Sequence, residues 1–106
     1  MPHYLVRARP TGDIEELHER LTSGGFEDVR PFGAEMTRSL LDARYDAEKD
    51  EAVWEEEDYC DPPLAQERDA LIDDYFDDLH VKEVSEGEGW AHVKGLPSLY
   101  DGYDAE

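Results

Sequence analysis

The chain is almost without cysteine. A single Cys60 in 106 residues excludes an internal disulfide and any all-cysteine metal cluster. No stretch approaches the roughly eighteen consecutive apolar residues of a membrane-spanning helix. No positively charged leader runs into an apolar segment, so no signal peptide is expected. Also missing are a glycine-rich phosphate loop, G-x-S-x-G, H-E-x-x-H and C-x-x-C. Nucleic-acid binding lacks its basic patch. Multimolar salt, which itself screens phosphate attraction, softens that objection. The only candidate surface for it is the N-terminal half, with Arg7, Arg9, Arg20, Arg30, Arg38 and Arg44. The expectation is one soluble cytoplasmic domain over residues 1–106, with no cofactor and no resident metal, and long enough for one core.

What the chain has in excess is negative charge. Twenty-nine acids stand against ten bases, a net of −19 and a pI near 4.3. Low hydropathy with such a charge ordinarily marks disorder, but periodic apolar residues, aromatics and helix caps run through most of the sequence. A foldable chain that repels itself in dilute buffer suits a solvent that screens the repulsion, since at 1 M salt the Debye length is only about 3 Å. The charge is also uneven. Residues 1–44 hold six bases and eight acids, net −2, whereas residues 45–106 hold four bases and twenty-one acids, net −17. Two explanations stand side by side: the near-neutral half faces a partner or a second copy, or it simply contains more buried strand.

Three lysines against seven arginines, only two isoleucines, and carboxylate in place of surface lysine make a composition that resembles the small uncharacterised acidic proteins of extreme halophiles. That resemblance implies a salt-rich cytoplasm and a surface that holds inorganic cations and a hydration shell. It implies no activity.

Along the chain, His3–Arg9 reads as a strand ended by Pro10. Asp13 and its neighbours cap a helix carrying Ile14, Leu17 and Leu21, which Gly24-Gly25 stops. Glu35–Asp46 is ambiguous between a short, poorly faced helix and a strand. The strand reading is preferred, as a hairpin whose turn is Ala47–Asp50 and whose second strand is Glu51–Tyr59. In that register Tyr45 faces Ala52 and Ala43 faces Trp54, and Arg38 and Arg44 share a face with Glu55 and Glu57, which makes cross-strand ion pairs. Asp61-Pro62-Pro63 is a corner. A helix follows, with a stripe of Leu64, Leu71, Ile72, Tyr75, Phe76 and Leu79. His80–Val84 is a strand, Glu86–Gly89 a turn, and Trp90–Lys94 a strand pairing back. A short tail over residues 97–106 docks through Leu99, Tyr100 and Tyr103. The order predicts an α+β, ferredoxin-like β-α-β-β-α-β two-layer sandwich with an extra C-terminal strand.

The chemistry-bearing groups are few. On a strand Glu55 and Glu57 converge while Glu56 points away, so the run Glu55–Asp61 reads as a solvated acidic face in preference to a hard-cation site. Cys60 among acids keeps its thiol protonated, and a small buried residue is the better reading. Asp77 and His80 stand three apart, and His92 sits across the last hairpin from His80 or Glu83; a surface histidine at a helix end is preferred over zinc. Arg68, inside an apolar stripe, needs a carboxylate partner or holds an anionic ligand.

Two functional classes follow. The first is a non-enzymatic binding or assembly module, a homodimer through its sheet face or its less acidic half. The second is a small enzyme or ligand-binding protein of the dimeric α+β-barrel type. There the cleft between sheet and helices would be lined by Arg38, Arg44, Glu55, Glu57, His80 and His92, with Arg68 as a further candidate. A closed, ligand-sized cavity lined by several of these residues distinguishes the second class from the first.

Overall fold

The computed structural model describes residues 3–25, 33–57 and 72–102. Within them lie strand β1 (His3–Pro10), helices α1 (Ile14–Thr22) and α2 (Gly33–Leu41), and strands β2 (Arg44–Asp46) and β3 (Glu51–Glu57). A helical turn α3 (Asp73–Tyr75) leads directly into strand β4 (Phe76–Val84), and two short helices, α4 (Glu88–Val93) and α5 (Leu99–Gly102), complete the set. The four strands form one antiparallel sheet in the order β2-β3-β1-β4. The protein is therefore α+β. None of these helices is long and apolar enough to cross a membrane.

Alternation along the two central strands sets the layers. Val6 and Ala8 of β1, with Ala52 and Trp54 of β3, face the main core, where α1, α2 and α5 contribute Ile14, Leu17, Leu21, Met36, Leu40 and Leu99. On the opposite face Leu5 and Val53 meet Val93 of α4, with Val84, Trp90 and Leu96 packed around them. Because both faces are covered, Ala52–Glu56 is buried without interruption, where a half-exposed strand would alternate.

α1 forms as expected from local signals. Asp13 accepts the Glu16 N–H at 3.0 Å, Glu15 and Glu16 lie in the first turn, and Gly24 takes a left-handed φ of +80° beyond the last turn. The Ala47–Asp50 turn and the Tyr45↔Ala52 register are also as expected.

Three expectations fail. Residues Gly33–Leu41 are helix, not strand, so the paired region of β2 is only three residues. Met36 and Leu40 sit one turn apart, and the hydroxyl of buried Thr37 donates to the Gly33 carbonyl at 2.7 Å, which satisfies that polar group inside the core. The helix expected to run through Leu79 ends at Tyr75, and Phe76–Leu79 belong to β4; its earlier part, Leu64–Leu71, lies outside the described residues, as does the Asp61–Pro63 corner. Pairing of Pro10 with Phe76 and Arg9 with Asp77 outweighs the helical spacing of Phe76 and Leu79. Finally, Trp90 to Val93 are helical, so the extra C-terminal strand is not formed and the sheet keeps four strands.

The tail does dock. The Leu99 N–H donates to Ala43 O at 2.8 Å and the Tyr45 N–H to Pro97 O at 2.9 Å, and Leu99 is buried; Tyr103 lies outside the described residues. The Tyr100 hydroxyl donates to Leu40 O at 2.6 Å and its ring stacks on His18, with centroids 4.4 Å apart. Burial pushes the Tyr100 phenol well above its ordinary range. The folded value is thus raised above the unfolded value of about 10, so this group's contribution to stability is intact below about pH 10 and is lost as pH rises above it. Tyr100 is expected to resist ionisation in an ultraviolet alkaline titration until the fold gives way. Tyr100→Phe should remove that late step.

Candidate functional site

The polar groups that the sheet gathers lie on its second face. β1 contributes His3, Leu5, Arg7 and Arg9, and β3 contributes Glu51, Val53, Glu55 and Glu57, brought opposite one another by the antiparallel register His3↔Glu57, Leu5↔Glu55, Arg7↔Val53. The centre of this group is Glu55, only 4% exposed. One of its oxygens, Oε2, accepts the Gly87 N–H at 2.8 Å, and the other, Oε1, accepts the Gly89 N–H at 2.7 Å. A single carboxylate thereby satisfies two amides at the start of α4 and holds that helix on the sheet. Gly89 permits the approach: a Cβ there would stand 2.9 Å from Glu55 Oε1 and 3.1 Å from Leu5 Cδ1.

His3, 9% exposed, stands between two carboxylates, with Nδ1 3.4 Å from Glu55 Oε2 and Nε2 3.7 Å from Glu57 Oε2. Farther along the same face Arg7 Nη1 lies 3.3 Å from Glu51 Oε1 and 3.8 Å from Asp46 Oδ2. Chemically this is a set of close contacts between two basic side chains, His3 and Arg7, and four carboxylates, Glu55, Glu57, Asp46 and Glu51. A general base needs one imidazole nitrogen turned toward its substrate, whereas both nitrogens of His3 face carboxylates.

The sequence-derived candidates separate. Glu55 and Glu57 do converge, as strand alternation required. Glu55 is not solvated, however, and neither is Glu56 on the opposite face, which is 1% exposed and accepts the Trp54 indole N–H at 3.0 Å. The two arginines expected beside Glu55 and Glu57 are elsewhere. Arg38 is exposed on α2 and pairs with Glu35, because that segment is helical; α2 packs on the main-core face of the sheet. Arg44 does lie on the second face, opposite Val53, but donates to Leu96 O at 3.1 Å. His80 is exposed on β4, opposite Arg7 in the sheet. His92 is exposed on α4, so no hairpin places it across from His80 or Glu83. Arg68 and Cys60 lie outside the described residues. Among the described residues no three His, Cys, Asp or Glu side chains are grouped to hold a metal ion.

Sequence reasoning missed His3. The signal was available: if β1 pairs with β3 antiparallel, odd-numbered residues of both strands share a face, and His3 then stands beside Glu55 and Glu57. Gly87 and Gly89 as partners of Glu55 were not available, because they depend on α4 being a helix laid across the sheet. Comparison with known protein families, with curated proteins and with solved structures finds no match to this chain.

Proposed function

We propose that the chain is a non-enzymatic binding or assembly module: a small acidic protein of the ferredoxin-like β-α-β-β-α-β kind that works in a salt-rich cytoplasm and pairs with a second copy. The observation that carries this reading is that the polar groups on the sheet are spent on the fold itself. Both oxygens of Glu55 hold α4, His3 lies between Glu55 and Glu57, Arg7 lies between Asp46 and Glu51, and Arg44 holds the Leu96 carbonyl.

The ferredoxin-like part of the proposal is supported by β3 lying between β1 and β2 and antiparallel to both, the split arrangement of such domains. The likeness bears on fold and not on activity. The enzyme alternative needed one cleft lined by Arg38, Arg44, Glu55, Glu57, His80 and His92. Arg38 is on the outer side of the helical layer and the two histidines are exposed on separate elements, which favours the assembly reading. Such domains often pair through the open sheet face, but here α4 and Leu96 already cover its apolar residues Leu5 and Val53, so association is expected to use another surface.

Sedimentation velocity in about 2 M KCl, where the Debye length falls below roughly 3 Å, should show a dimer. The dimer should weaken as salt is removed and the two like-charged copies repel. A strictly monomeric species at high protein concentration in that salt overturns the self-association reading.

A further inference from the structure

The sheet ends differently on its two sides. β2, three residues long, has its outer edge occupied by the chain's own C-terminal segment through Tyr45 N–H to Pro97 O and the Arg44–Ser98 bridge. β4, nine residues long and the longest strand, is the other end of the sheet, and among the described residues no strand pairs with its outer side. A strand in that position presents a row of backbone donors and acceptors. Near its start Asp78 takes a left-handed φ of +53° where the pairing with β1 shifts register, which leaves Leu79–Val84 as the regular part of the edge.

Two properties distinguish that segment. Leu79, Val81 and Val84 are only half-buried although they pack at the rims of the two apolar clusters, so an added strand would cover them. Its charges also cancel. Lys82 and Glu83 leave six residues with no net charge in a chain of −19.

We propose that the outer edge of β4 is the surface across which two copies pair, antiparallel, about a two-fold axis normal to the sheet, giving a continuous sheet of eight strands. This rests on the assembly reading above and specifies its surface. Such an axis keeps the two faces of the sheet distinct, so residues opposite one another share a face and one residue stands opposite itself. Centring on His80 places Leu79 of each copy opposite Val81 of the other, an apolar pair on each side of the axis within the regular part of the edge. Centring on Val81 sets His80 against Lys82 and Leu79 against Glu83. Centring on Lys82 sets that lysine against itself. Covering the half-buried Leu79 and Val81 therefore selects His80. This match is between the strand and its own copy, which is why the occupant is a second copy and not an unrelated strand.

The test is a site-specific disulfide in the full chain carrying Cys60→Ser, so that the introduced thiol is the only one. Across the axis the Cα atoms of residue 80 would stand about 4.5–5.5 Å apart, inside the range of roughly 4.4–6.8 Å that a disulfide spans. Residue 83 would be about six positions from its copy, roughly 20 Å away. In about 2 M KCl with a mild oxidant, the His80→Cys variant should cross-link at least about tenfold faster than Glu83→Cys. Independently, Lys82→Glu, which takes the neutral Leu79–Val84 segment of each copy to a net charge of −2, should weaken the dimer about tenfold with an unchanged circular dichroism spectrum. His80 and Lys82 are both exposed, so neither change disturbs the core. A sample that sediments as a dimer but cross-links no faster at residue 80 than at 83, and whose dimer ignores Lys82→Glu, overturns the β4 edge and leaves assembly standing. A wild-type chain that stays monomeric at high concentration overturns both.

Discussion

Circular dichroism should record a largely unfolded chain in dilute buffer and a cooperative gain of structure as KCl rises to multimolar concentration. The expectation rests on comparing lengths. At 0.01 M salt the Debye length is about 30 Å, more than twice the 12.6 Å radius of gyration of the folded chain, so each carboxylate repels all the others. At 1 M it is about 3 Å and only immediate neighbours interact. Salt also weakens the attractive pairs, including Arg9 with Asp78 at 3.0 Å. Acids outnumber bases twenty-nine to ten, however, so screening removes more repulsion than attraction. Exposed pairs are worth at most about 1 kcal/mol each, whereas domains of this size are stable by only about 5–15 kcal/mol, a margin that unscreened repulsion can erase. A cooperative fold at about 10 mM salt that is unchanged at about 2 M would sink the halophilic reading.

Loss of Glu55 should be the most damaging change at any carboxylate on the second face. Glu55→Ala removes the acceptor for two amides, Gly87 at 2.8 Å and Gly89 at 2.7 Å, and Gly89 is itself buried. An unsatisfied buried donor costs about 1–3 kcal/mol, so denaturant unfolding in high salt should show a loss of about 3 kcal/mol. Amide exchange over Gly87–Val93 should accelerate far more than elsewhere, because this carboxylate is what seats α4. Glu55→Gln should fall between, since one N–H would then meet an NH₂ group. Gly89→Ala should act in the same direction by pushing a methyl group against Glu55 and Leu5. By contrast, Glu86→Gln, at an exposed position in the adjacent turn, should stay within about 0.5 kcal/mol. If Glu55→Ala costs no more than Glu86→Gln, Glu55 does not hold α4.

Some of this architecture was legible from local chemistry. Asp13, the Ile14–Leu17–Leu21 spacing and Gly24 specify α1 within a dozen residues. The Ala47–Asp50 turn sets the Tyr45↔Ala52 register, and strand alternation alone brought Glu55 and Glu57 to one face. The failures share a cause. Asp74 to Leu79 reads as amphipathic helix, yet β1 claims Phe76 onward because long-range ladder bonds bury it better than one more helical turn would. Trp90–Val93 has the apolar character of a strand, but two amides find a carboxylate thirty-odd residues away and the segment turns into helix.

The sequence by itself determined the charge, because it is a sum over residues that no fold alters. It also determined the elements whose start and stop signals lie within them. Only the tertiary structure decided which carboxylates are buried. Glu55 and Glu56 read as surface in isolation, and they are interior because a helix covers one face of their strand and the main core the other. Burial depends on what arrives from elsewhere in the chain, and the helix that covers Glu55 is held there by Glu55 itself.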